Sequence, residues 1–296
     1  MLDNLLTEGF DHHAAEPERL ARELEAASLD GAGAATLVEF LRVATHTIGE
    51  HLGDWPRARR LAERALEGRT PAAETAKAWA HLSVARLLAG DTAGGLAAEL
   101  AFLGASSSGP ETAMIEARFM LVAALVGSGR TGEAAALYDA ALGLARALGE
   151  AAPHRAVGVA SNNLATELLE EASRTPDEDA LMRRAAEASH EFWLQCGDWR
   201  NDERGRYLKA LVANVLGEPA QGLAHAQAGL AIIAANGEAP IDFAFLTLAS
   251  AHALKLAGDA AQSAAALAVS DAAAAGWEDP ELRTWYADER ARMIGA

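Results

Sequence analysis

The chain has 296 residues, is 51% hydrophobic but only 5% aromatic, and carries a formal net charge of −17 with a pI near 4.9. Its apolar content is mostly Ala and Leu, strong helix formers, and runs rich in Val, Ile and Thr are nearly absent. That balance favours an all-α chain over sheet-containing classes. No basic stripe is present to displace phosphate counterions, which argues against a nucleic-acid reader and against docking on anionic membranes.

The densest basic stretch, Arg57, Arg59, Arg60 and Arg64, is mixed with Glu63 and Glu67 and reads as a solvated helix face. The acidity suits a neutral or cationic partner. Cys196 stands alone, so an intramolecular disulfide is impossible, in keeping with a reducing compartment. Residues 1–13 carry Asp3, Glu8 and Asp11 and have no apolar stretch of signal-peptide length. No segment has the roughly 18 uncharged apolar residues of a membrane span. A cytoplasmic, soluble protein is expected.

In chain order, an opening helix is predicted over 17–28. Helix pairs follow at 34–52 with 56–67, 71–89 with 92–103, and 110–127 with 131–148. They continue at 153–172 with 178–196, 202–216 with 219–235, and 240–257 with 259–275. A last helix at 280–293 is placed to cap the end with Trp285 and Tyr286. No linker is evident, and one helical-repeat domain over 1–296 is expected, with loops 104–110 and 173–179 as its freest segments.

The repeat is marked by Gly53-Asp54, Gly90-Asp91, Gly129-Arg130, Gly217-Glu218 and Gly258-Asp259, at gaps of 37, 39, 88 and 41 residues. The gap of 88 hides a degenerate unit near Asn162 to Cys196, its turn around Ala172 to Asp179. A Gly accepts the left-handed backbone that ends a helix. Asp91, Thr92 or Thr131 can cap the next one, and Pro56 and Pro219 suit a helix start. Small residues recur on one face of three second helices: Ala58, Ala62 and Ala65; Ala134 and Ala141; Gly222, Ala226 and Gly229.

This pattern resembles the tetratricopeptide repeat. Trp79 and Leu82 ahead of Gly90 match the family's first-helix signature, and Ala134, Tyr138 and Ala141 match its second. Asn162-Asn163-Leu164-Ala165 looks like first helices of its longer-repeat relatives. The resemblance covers roughly Val38 to Asp271. It implies a right-handed α-α superhelix of about six helix pairs, with first helices lining a concave groove that binds protein or peptide. The spacing of about 40 residues exceeds the usual 34, and HEAT-like repeats of similar length are the structural alternative.

Several motifs invite other chemistry. Gly127-Ser-Gly129-Arg-Thr-Gly132 matches a dinucleotide-binding fingerprint, but the run before it continues unbroken from Glu116-Ala-Arg-Phe and reads as helix, not strand. His46 and His51 flank Glu50 in the manner of an inverted zinc-protease motif with one residue too many. On an α-helix they stand about 140° apart and cannot face one ion. Glu50 with His46 is correctly spaced, and His12 or His13 offers a third ligand. Helix packing and hydrogen bonding is the plainer reading, so neither metal nor cofactor is expected. Cys196, beside Trp193 and Trp199, reads as a half-buried structural thiol.

The resemblance places groove contacts on Val43, Thr47, Glu50 and His51; on Lys77, Ala80 and Val84; and on Glu116, Phe119 and Ala123. Further on come Asn162 and Thr166; Arg204, Tyr207 and Asn214; and Phe245, Leu248, His252 and Lys255. Mid-helix Asn is poor for helix stability. Asn162 and Asn214 therefore either grip the backbone of an extended peptide or bond within and between helices. A non-catalytic scaffold for a neutral or cationic protein or peptide is the leading function. A ligand-sensing module is the alternative, and a metal-dependent enzyme at His46, Glu50 and His51 is the third.

Overall fold

The five glycine marks fold as left-handed turns, with φ of 66°, 84°, 69°, 73° and 83°. At four of them the next residue donates its N–H five residues back, closing the helix end: Asp91 to Arg86, Arg130 to Leu125, Glu218 to Ala213 and Asp259 to Leu254, at 2.8–2.9 Å. Asp54, Asp91 and Asp259 then cap the following helices, each carboxylate accepting a backbone N–H. Thr131 does not act as a cap; Arg130 holds that position, and Thr131 is buried in the first turn.

A computed structural model describes residues 2, 4–7, 13, 15–149 and 153–295. Asp3, Glu8, Asp11 and His12 lie outside the described residues. Among those described there is no strand, and no helix is long and apolar enough to cross a membrane. The chain divides into two compact units, Met1–Pro153 and His154–Ala296.

The first unit holds α1 (Pro17–Ala26), α2 (Ala34–Ala44), a π-helical segment (Thr45–His51), α3 (Trp55–Leu66) and a 3-10 turn (Ala73–Thr75). It continues with α4 (Ala76–Leu88), α5 (Thr92–Ala105), α6 (Pro110–Gly127) and α7 (Thr131–Leu148). The second unit holds α8 (His154–Glu170), α9 (Pro176–Cys196), α10 (Trp199–Val215), α11 (Pro219–Asn236), α12 (Pro240–Leu256), α13 (Ala260–Ala274) and α14 (Pro280–Ile294). The pairs α4/α5, α6/α7, α8/α9, α10/α11 and α12/α13 each pack together, and neighbouring pairs within a unit stack on one another. This is the all-helical α-α solenoid class that the repeat spacing predicts.

The small-residue face is where second helices meet their partners. Ala58, Ala62, Ala65, Ala134, Ala141 and Ala226 are buried. At Gly229 a Cβ would stand 2.7 Å from a Leu246 methyl, so α11 and α12 meet closely there. The degenerate unit has no glycine turn because an arginine does its work. The Arg174 guanidinium donates to the Leu168 and Glu171 carbonyls at 3.1 and 2.9 Å, satisfying the end of α8. Thr175 and Glu178 then form a reciprocal cap that starts α9.

The π-helical segment interrupts the predicted helix 34–52. Its signature is the Leu52 N–H donating to Thr47 O, a five-residue step, at 3.2 Å. Gly49 lies within this segment. The Trp55 ring lies where a Gly49 side chain would stand, and its indole N–H donates to Ser128 Oγ at 2.9 Å. At the other end of the chain the capping expectation splits. Tyr286 is buried, its hydroxyl bonded to Ser270 and Asp271, whereas Trp285 remains 51% exposed.

Candidate functional site

The first helices of the second unit, α8, α10 and α12, together with α14, surround a cavity of about 460 Å3. Asn162 and Thr166 come from α8, Arg204 and Tyr207 from α10, and Phe245 from α12. These are first-helix positions, as the repeat resemblance implies. Trp285, Glu289 and Arg292 of α14 close the set.

The cavity is lined by aromatic rings and by charged side chains. Phe245 lies between Trp285 and Tyr207, with ring centroids 4.3 and 6.2 Å away. Burial, with the nearby Glu289 carboxylate second, raises the Tyr207 pKa, so its phenol stays neutral. The lining also holds four carboxyls, Glu170, Glu203, Asp242 and Glu289, and two guanidiniums, Arg204 and Arg292. Arg204 donates to both Asp242 oxygens at 3.1 and 3.2 Å, and Arg292 pairs with Glu289. Two cations are thereby committed, and two carboxyls are left over.

Glu203 is the unusual one. It is 0% exposed, yet neither carboxyl oxygen has a hydrogen-bond partner; Arg204 Nε approaches one of them only to 3.6 Å. Burial, then the adjacent Asp242 charge, push its pKa up to about 8. A buried carboxyl with a raised pKa in a cleft is a functional-site signal. Composition hid it: Glu203 is one of 42 acidic residues, and nothing in its spacing separates it from a solvated helix face.

Other expected contacts belong to the core. Thr47 is 0% exposed, Phe119 is 7% exposed and edge-on to Tyr138, and Val43, Ala80, Val84 and Leu248 are buried. Asn214 is 2% exposed and donates from Nδ2 to Ala249 O at 3.0 Å, tying α10 to α12. In the structure it bonds helix to helix, the second of its two expected readings. We expect Asn214→Ala to lower unfolding stability by about 1–2 kcal/mol, because the Ala249 carbonyl loses its side-chain donor and a small void opens. Urea denaturation reads this directly, and peptide affinity should stay unchanged.

Lys255 is exposed and donates to the Ile294 carbonyl, steadying the end of α14, while His252 is half-buried with its pKa lowered by burial. In the first unit Lys77 is exposed, Glu116 and Ala123 are half-buried, and Glu50 and His51 stand in the π-helical segment. The run before Gly127 is α6, so the dinucleotide fingerprint lacks its strand. Cys196 is exposed, not half-buried, and partial burial of its sulfur raises its pKa, the opposite of an activated nucleophile.

No family model and no curated protein matches the chain. Among the solved structures that resemble it is BtubC (BKLC) from P. vanneervenii, at 16% identity and a TM-score of 0.48, covering 86% of this chain and 94% of that one.

Proposed function

We propose that the chain is a non-catalytic, tetratricopeptide-like binding protein whose second unit takes a peptide along its first helices, with a cationic side chain seated in the cavity. The observation that carries this reading is Glu203: a buried carboxyl whose nearest cation, Arg204, is already committed to Asp242, in a cavity lined by Tyr207, Phe245 and Trp285. A lysine or arginine head in the cavity would sit in the field of Glu170, Glu203, Asp242 and Glu289, and its stem or plane would lie against Tyr207, Phe245 and Trp285. A bound cation favours the ionised form of Glu203, so binding releases a proton. A cavity of about 460 Å3 also suits a small organic amine, the sensing alternative.

The test uses the full-length protein and fluorescein-labelled peptide pools, matched except for arginine or lysine against citrulline or acetyl-lysine. Cationic pools should bind at least about tenfold more tightly, a difference of roughly 1.4 kcal/mol, and should quench Trp285. Glu203→Gln should erase that preference. Equal binding of charged and neutral pools, or a preference that survives Glu203→Gln, would defeat the proposal. Trimethylammonium and guanidinium compounds, added as competitors, separate a small-amine sensor from a peptide groove.

A further inference from the structure

In the first unit, three imidazoles converge. The rings of His13, His46 and His51 lie 4.7–4.8 Å apart, centroid to centroid, and one nitrogen from each falls within 4.8 Å of the others. His46 and His51 are five residues apart, and an α-helix would point them away from each other. The π-helical segment from Thr45 to His51 undoes that, because a five-residue hydrogen-bond step returns position i+5 to the side of position i. The expectation that the two histidines cannot share an ion is therefore corrected by the local backbone. His13 reaches them from a turn ahead of α1.

We infer that His13, His46 and His51 form a binding site for a divalent first-row transition-metal ion, with Zn2+ the reference ion and Glu50 orienting His46. Three features carry it. First, the His46 and His51 Nε2 atoms stand 3.2 Å apart. Two nitrogens on one tetrahedral zinc, each roughly 2.0–2.1 Å from the metal, stand about 3.3 Å apart. Second, Glu50 bonds to His46 Nδ1. A carboxylate there fixes the tautomer that presents Nε2, the outer-shell arrangement that metal-bound histidines use. Third, three imidazoles with no thiolate suit zinc and its neighbours rather than magnesium or calcium.

The environment is consistent with these features. His51 is exposed enough for water to complete the coordination. An ion here would tether the turn at His13 to the π-helical segment. The site lies in the first unit and is independent of the peptide proposal, which concerns the second.

The experiment takes the full chain without a histidine tag, strips it with a chelator, and titrates it with Zn2+ by calorimetry and with Co2+ by visible absorption. One Zn2+ per chain should bind with Kd below about 1 µM and raise the melting temperature. Co2+ should give the intense visible bands of a four-coordinate site. His13→Ala and His51→Ala should each weaken binding by about 100-fold or more, and Glu50→Gln by about 10- to 100-fold, with circular dichroism unchanged. Absence of saturable Zn2+ binding to the wild type would overturn the inference and leave a histidine–histidine hydrogen bond. Stoichiometric binding that either histidine variant leaves intact would also overturn it, by placing the ion elsewhere.

Discussion

Glu203→Gln should make the protein more stable near neutral pH, and the gain should vanish in acid. Glu203 titrates near 8 in the folded chain against an ordinary value of 4.5. Between those values the native state holds a proton that the unfolded chain has already released. Unfolding therefore becomes easier as pH rises, by about 1.4 kcal/mol per pH unit. The stability tied to this carboxyl is fully present below its unfolded value and is lost progressively toward 8. Near pH 7 the deficit is about 3 kcal/mol by that slope. Glutamine keeps the shape, has no acidic proton, and offers an amide N–H to the neighbouring Asp242. Urea unfolding of both proteins from acid to mildly alkaline pH gives the measurement. A variant no more stable than wild type at neutral pH, or a gap that does not change with pH, would sink the argument. A gain on removing Glu203 would mean that the carboxyl is kept for something other than folding.

The repeat was legible because glycine turns and small residues are backbone and packing requirements that leave fixed intervals in the sequence. Gly53, Gly90, Gly129, Gly217 and Gly258 each have the positive φ their spacing implies. Within the second unit, Asn162, Thr166, Arg204, Tyr207 and Phe245, which the family resemblance and helix phase together put on one groove face, line a single cavity. Phase has limited resolution, however. It put Asn214 and Thr47 on the same face, whereas rotation by part of a turn aims Asn214 at the Ala249 carbonyl and Thr47 into the core. Glu203 was missed because burial of one carboxyl among many is set by neighbours distant in sequence, such as Asp242 on α12. The histidine cluster was misjudged for a different reason: a fixed 100° per residue was assumed across a segment that does not obey it.

Gly49→Leu tests whether that segment is imposed by packing. The Trp55 ring fills the space a Gly49 side chain would need, and the indole is fixed from its far side by Ser128, whose own hydroxyl is tied to the Ala124 carbonyl at 2.7 Å. The ring cannot retreat without breaking that chain of bonds and opening the core around Ile48 and Ala58. We expect a loss of about 3 kcal/mol, at the upper end for overpacking, because a rigid aromatic and not a flexible tip must yield. Leucine also favours regular helix over glycine by about 1 kcal/mol, so part of the loss is offset if the π-helical step reverts to an α-helical one. In that reverted state His46 and His51 diverge again. Chelator-treated protein isolates the packing effect: urea unfolding should show the loss, and Trp55 emission should shift as the indole leaves Ser128. Wild-type stability in Gly49→Leu would show that the ring moves aside freely, and the glycine would then not be what holds the two histidines on one side.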